Sequence, residues 1–252
     1  MSDLDQIAQR LDEAAHNASA IKQLAEELTI EQAYEIQKQS IDRRLSRGEK
    51  RIGMKMGFTS RAKMVQMGVS DMIWGRLTDA MIEEEGGTIQ LSNYIHPRVE
   101  PEVVYLLGKP LSGRITPLLA LDAVEAVAPA LEIIDSRYDD FKFSLTDVVA
   151  DNCSSSGLVI GNWQRPDTDV SNLGLILSVN GKPMEFGSTA AILGDPIRSL
   201  VAAARMVAEA GEELPAGSLV MAGGATAAIA LSAGETIELE LELLGRASFS
   251  VE

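Results

Sequence analysis

Apolar positions recur with two different periods along this chain. From Thr236 to Leu243, Ile237, Leu239, Leu241 and Leu243 alternate with Thr236, Glu238, Glu240 and Glu242. That period of two predicts a half-buried strand with its acidic side in water. Ala247 to Val251 reads as its hairpin partner around Gly245. Leu175–Val179, Asn180-Gly181 and the run from Lys182 predict a second hairpin with a type I′ turn. Pro183 confines its second strand to an edge or a strand start. Elsewhere the spacing is helical. Ile7, Leu11 and Ala14 share one face. Thr29 with Gln32 forms a capping-box pattern, and Ile36, Ile41 and Leu45 make the stripe of the helix that follows, with Gly48 as its stop. Leu118, Leu121, Val124 and Val127 predict a helix opened by Thr116-Pro117 and stopped by Pro129. Asp195-Pro196 opens one more, with Ile197, Leu200, Val201, Ala204 and Val207 inward and Gly211 at its end. The chain therefore divides into a helical part over 1–50 and a strand-rich part over 51–252.

Two strand-like runs carry acids where apolar residues are expected. In His96–Leu107, Glu100 and Glu102 lie two apart and share a face. In Ala130–Arg137, Glu132 sits inside an aliphatic run. A solvated acidic face, like that of Glu238 and Glu240, is the ordinary explanation for Glu-x-Glu. If the strands are buried, three carboxylates need a positive partner. An all-oxygen set suits Mg²⁺ or Mn²⁺. Pro101, between the two glutamates, calls for an edge or bulged strand.

Charge and composition narrow the classes. The net charge of −15 argues against nucleic acid or an anionic membrane as partner. No apolar run approaches a membrane span, and the start lacks a signal-peptide layout. Cys153 is the one cysteine, so no intrachain disulfide can form, which fits a reducing, cytoplasmic setting. Two histidines, His16 and His96, leave little for a multi-histidine zinc site or a Ser-His-Asp triad. His16 lies in a polar stretch and reads as a surface residue. Lys55, flanked by Met54 and Met56, is equally readable as an edge lysine or as a buried cation facing a carboxylate or an anionic ligand. The backbone at Met67-Gly68-Val69 could face an anion or merely stop a helix. Asp79 is a turn residue or a carboxylate facing the same pocket as Lys55. The small polar run Asp151–Ser156 is a turn-rich loop, or one whose hydroxyls hold a carboxylate. Cys153 reads as a buried inert thiol.

Taken in order, Met54-Lys55-Met56-Gly57-Phe58-Thr59-Ser60, Met67-Gly68-Val69, Pro97-Arg98-Val99-Glu100-Pro101-Glu102, Pro129–Arg137 and Ala150–Ser155 resemble the 2-keto-4-pentenoate hydratase and 4-oxalocrotonate decarboxylase family, within the fumarylacetoacetase-like superfamily. The resemblance spans almost the whole chain, and Asp135-Ser136-Arg137-Tyr138 through Phe143 is closer to the decarboxylase branch. Cys153 departs from the alanine expected there. The resemblance implies an α+β fold of the fumarylacetoacetase C-terminal type, with β-rich mixed sheets rolled around the site and a helical N-terminal subdomain. It implies Mg²⁺ or Mn²⁺ held by Glu100, Glu102 and Glu132, Lys55 and Asp79 as catalytic groups, and Met67, Gly68, Val69 and Ser154 against the substrate. The expected reaction is metal-dependent decarboxylation of 2-oxohex-3-enedioate, a small dianionic 2-oxo acid, within meta-cleavage catabolism of aromatic compounds. Hydration of 2-hydroxypenta-2,4-dienoate is the alternative, and a catalytically idle partner subunit the third reading. A homo-oligomer and a complex with a paralogous hydratase are the expected assemblies.

Overall fold

The computed structural model describes residues 3–25, 27–60, 64–65 and 71–252. In chain order the strands are β1 (Arg51–Gly57), β2 (Ile73–Thr78), β3 (Ile82–Glu83), β4 (Thr88–Ile89), β5 (Arg98–Leu107), β6 (Val124–Ile134), β7 (Ser155–Ile160), β8 (Gly174–Val179), β9 (Lys182–Ser188), β10 (Leu219–Met221), β11 (Ile229–Ala230), β12 (Thr236–Leu241) and β13 (Gly245–Val251). The helices are α1 (Asp3–His16), α2 (Ile30–Ser46), α3 (Pro117–Asp122), α4 (Leu145–Ala150) and α5 (Ile197–Glu209).

The strands form two sheets. The larger runs β2-β1-β10-β5-β6-β7-β3, with β11 also pairing with β5, and mixes parallel and antiparallel neighbours. The smaller runs β4-β13-β12-β8-β9. Its central strands keep the expected alternation, with Ile237, Leu239 and Leu241 buried and the glutamates between them half exposed. Leu243 instead lies in the turn, 66% exposed. β9, which carries Pro183, is an edge strand.

β5 and β6 are buried on both faces. Val99, Val103, Tyr105, Leu131 and Ile133 join one apolar core with Ile237, Leu239 and Phe249 of the smaller sheet and Leu200 and Val207 of α5. The other face carries Val104, Ala128, Ala130, Leu158 and Met221, capped by Ile41 of α2. The helical part packs on the main body: Ile7, Leu11 and Ile36 share a cluster with Ile73, Tyr138, Val149 and Cys153. The Thr29–Gln32 capping box forms as expected.

One helix expectation is corrected. α3 ends at Asp122, and the chain is already in β6 at Val124, so Pro129 lies inside a strand rather than at a helix stop. Leu118 and Leu121 are 76% and 44% exposed, not buried. A strand buried on both faces is apolar without alternation, and that run imitated helical spacing.

Candidate metal and substrate site

Strand register brings the acids together. β5 and β6 pair antiparallel with Glu100 directly opposite Glu132 and Glu102 opposite Ala130. The two-residue period sets Glu102 on the same face. One oxygen from each carboxylate lies within 4.8 Å of the others. Glu100 is 8% exposed, and Glu102 and Glu132 are fully buried. They do not form a solvated face.

The expected edge or bulge at Pro101 is corrected too. β5 is an interior strand, flanked by β6 and β10. The Pro101 carbonyl accepts from Ala225 N–H at 2.9 Å, so its ring nitrogen faces the same side. There the neighbouring chain leaves β10 and re-enters the sheet only at β11. The proline sits where β5 lacks a continuous ladder.

Lys55 reaches the trio from two strands away. It pairs with Met221 of β10, which pairs with Val104 of β5, keeping all three on the acidic face. Its Nζ lies 3.0 Å from Glu132 Oε2 and donates to the Cys153 carbonyl at 3.1 Å. Lys55 is 4% exposed, which selects the buried-cation reading.

The electrostatics are those of an under-neutralised acidic site. Burial and the facing Glu132 push the Glu102 carboxyl well above its usual value, with Lys55 pulling the other way. Burial raises Glu132 as well, against the same pull. For Lys55, burial acts downward, but Glu132, Glu102 and Glu100 outweigh it and raise the ammonium. The lysine stays charged, and one cation faces three acids. Glu102 Oε2 accepts from Gly223 N–H at 2.7 Å. Glu102 Oε1 and Glu132 Oε1 are buried without a hydrogen-bond partner.

A strained loop closes over this face. Ser144 and Asp147 cap α4 reciprocally. Asn152, Cys153 and Ser154 follow with φ of 49°, 54° and 59°, three consecutive left-handed residues. Such strain persists only where neighbours enforce it. The Asn152 amide does so, accepting from Arg76 N–H at 2.7 Å and donating to the Arg76 carbonyl at 2.9 Å. Gly75, opposite Lys55, makes room, since a Cβ there would lie 2.5 Å from the Asn152 carbonyl oxygen. Arg137 clasps Asp151 through Nε and donates to Ser156 Oγ at 2.7 Å. Burial still lifts the Asp151 carboxyl to about 6 against that guanidinium. The result presents Ser154 Oγ, buried and without a partner. Cys153 is buried, donates to the Trp74 carbonyl, and has its thiol pushed up to about 12 by burial.

For Asp79 the structure favours the turn reading over a place beside Lys55. It is exposed, and its Oδ1 accepts from Lys50 N–H at 2.8 Å while its own N–H donates to the Lys50 carbonyl. Lys55 faces Gly75, four residues back along β2, or roughly 13 Å at strand rise. Asp79 ties the strand ends and does not face Lys55. Met67, Gly68 and Val69 lie outside the described residues. Sequence reasoning missed Asn152 and Arg76 as supports of the site, and reads Gly223 and Gly224 only as permitting close approach by a ligand or another strand. The Gly223-Gly224 pair was the one local signal: a Cβ on Gly224 would lie 2.6 Å from Glu100 Oε2. A cavity of about 630 Å³ beside Tyr105, Leu121 and Ile197 lies on the other face of β5, and none of the trio lines it.

The sequence pattern of the fumarylacetoacetate (FAA) hydrolase C-terminal family matches residues 51–252. The chain belongs to that family. Among its relatives, a 4-oxalocrotonate decarboxylase of Pseudomonas sp is 61% identical over 98% of this chain and 97% of its own. A 2-keto-4-pentenoate hydratase of Paraburkholderia xenovorans (strain LB400) is 34% identical over 96% of this chain and 92% of its own. The solved 4-oxalocrotonate decarboxylase from Pseudomonas putida G7, complexed with magnesium and adipate, superposes with a TM-score of 0.96 at 36% identity, covering 99% of this chain and 97% of that one. The two sheets and N-terminal helices are thus the family's α+β fold with its helical addition.

The residues present fit a divalent cation. Two buried carboxylate oxygens without partners are a standing cost that a cation removes. The donors are all oxygen, which suits Mg²⁺ or Mn²⁺ over zinc or copper. Among the described residues this trio is the one acidic cluster of suitable geometry.

Proposed function

We propose that this protein decarboxylates 2-oxohex-3-enedioate (4-oxalocrotonate) to 2-hydroxypenta-2,4-dienoate and CO₂ in the catabolism of aromatic compounds. The observation that carries the proposal is the buried trio Glu100, Glu102 and Glu132 beside Lys55, in a chain 61% identical to a 4-oxalocrotonate decarboxylase.

The bond that breaks is C5–C6. Its electron pair becomes C4=C5, the C3=C4 pair moves to C2=C3, and the C2 oxygen takes the charge and then one proton. A Mg²⁺ or Mn²⁺ held by Glu100, Glu102 and Glu132 supplies, when bound, a Lewis acid for the 2-oxo acid end. Lys55 offsets the negative charge of trio and dianion and holds a proton at Nζ for the C2 oxygen. Ser154 Oγ offers an unused donor to the substrate's carboxylate.

Hydration of 2-hydroxypenta-2,4-dienoate remains the second reading, favoured by relatives of that activity at 34% identity. Supplying each substrate with Mg²⁺ separates the two. CO₂ release from the dianion supports decarboxylation. Formation of 4-hydroxy-2-oxopentanoate, without CO₂ release, overturns it. The idle-subunit reading is disfavoured by the intact trio and lysine. A cytoplasmic homo-oligomer completes the proposal, with a paralogous hydratase as a further partner. Leu118, Leu119 and Leu121, exposed together on α3, are the apolar surface a subunit contact would cover. Among the described residues no helix is long and apolar enough to cross a membrane.

A further inference from the structure

We propose that Arg98 binds the distal carboxylate of the substrate at the mouth of the site. The inference rests on the functional reading above and names a specificity residue for it.

Exposure along β5 locates the mouth. Glu102 is fully buried, Glu100 is 8% exposed, and Arg98, two residues earlier on the same face, is exposed. The trio therefore opens toward solvent at the Arg98 end. The guanidinium carbon lies over the Phe141 ring, 4.3 Å from its centroid. The His96 ring, two residues earlier again, packs against the same ring at 5.0 Å. Asp140 and Phe141 hold left-handed backbone, φ 58° and 57°, which turns the loop to present that ring. That cation–π contact holds the guanidinium over the ring and leaves its N–H groups for hydrogen bonding.

Among the described residues those N–H groups have no acceptor. The chain carries 37 acidic residues, and among the described residues none forms an ion pair with Arg98. By contrast Arg43, Arg44, Arg47, Arg51, Arg76 and Arg137 each have a carboxylate partner. An oriented, unpaired guanidinium beside an acidic site suits an anionic ligand. The dimensions agree. Five carbon–carbon bonds of about 1.5 Å in an extended chain separate the two carboxyl carbons of the substrate by roughly 6 Å. Arg98 and Glu100 are offset by about 6.7 Å along the strand.

The chemistry fixes the kinetic signature. As C5–C6 breaks, negative charge leaves the distal carboxylate for the C2 oxygen. Arg98 therefore holds the ground state more strongly than the transition state. Removing it raises KM and leaves kcat equal or higher.

The test uses the Mg²⁺-loaded protein with adipate and hexanoate, a dicarboxylate and a monocarboxylate of equal length, titrated by calorimetry. Arg98→Met weakens adipate about 10- to 100-fold, the usual span for a lost charge-assisted hydrogen bond, and leaves hexanoate within about twofold. Arg98→Lys, which keeps the charge but not the planar fork, recovers part of the loss and controls for folding. Equal weakening of both acids, or of neither, overturns the proposal, as does a fall in kcat at unchanged KM. The binding comparison needs no turnover. A wild type that failed to release CO₂ would overturn the functional reading, while the adipate–hexanoate split would still test Arg98.

Discussion

Replacing Lys55 by methionine shortens the side chain by one atom and removes its charge. Two unit charges 3.0 Å apart attract by about 5 kcal/mol at an effective dielectric constant near 20. The net cost of leaving one partner of a buried pair is about 3–5 kcal/mol. Here the lower end applies, because Glu132 and Glu102 already favour protonation and can discharge themselves. A loss of about 3 kcal/mol in a domain of this size corresponds to a Tm lower by roughly 6–12 °C. That drop is expected in EDTA. With saturating Mg²⁺ it shrinks, since the cation replaces the lost charge, and Mg²⁺ binds more tightly because a repelling ammonium is gone. Turnover moves the other way: kcat falls about 10²- to 10⁴-fold, the range for a positioned acid–base group. Differential scanning calorimetry with and without Mg²⁺, metal titration and a CO₂-release assay read the three effects. A variant with wild-type kcat, or with an unchanged Tm in EDTA, shows that Lys55 does not hold the role assigned to it.

Other outcomes follow from the same geometry. Glu102 and Glu132 have carboxyls raised above their usual value, and metal must displace those protons, so Mg²⁺ affinity rises with pH until both are ionised and is flat above. Titration in two buffers of different ionisation enthalpy should detect the protons released; a pH-independent affinity contradicts this. Ser154→Ala removes a buried hydroxyl without a partner, so Tm stays level or rises, by about 1 kcal/mol of stability at most, while KM for the substrate increases several-fold; a large loss of stability would show the hydroxyl is structural. Gly224→Ala sets a methyl 2.6 Å from Glu100 Oε2, so metal affinity drops about tenfold, as for a disturbed ligand support, with circular dichroism unchanged; full affinity would mean Glu100 can move aside freely.

Local pattern carried part of this site and tertiary pairing the rest. Glu100 and Glu102 share a face by the two-residue period alone, and Glu132 stood out as a carboxylate inside an aliphatic run. Their convergence depends on the register of β5 against β6, set across the whole connection from Gly108 to Ala123, which no short window encodes. Lys55 was ambiguous because its neighbour in the sheet, Met221, is far along the chain. Asp79 was ambiguous for the same reason: its position beside Thr78 says nothing of which residue faces it across the strand pair, and that residue is near Lys50. Ser154 was legible as a polar loop residue, but its presentation depends on Asn152 mimicking a strand partner for Arg76, an arrangement without a sequence signature. The run from Leu118 to Val127 misled because three-residue spacing fits both a helix and a two-sided buried strand.

Calorimetric titration of metal-free protein with Mg²⁺, for the wild type and for Glu102→Gln and Glu132→Gln, tests the core of this account most directly. One site per chain in the wild type, with each glutamine variant weakened about 100-fold or more while still folded, is the expected result. Unchanged affinity in both variants would mean the three carboxylates do not hold the cation, and the proposed chemistry would lose its centre.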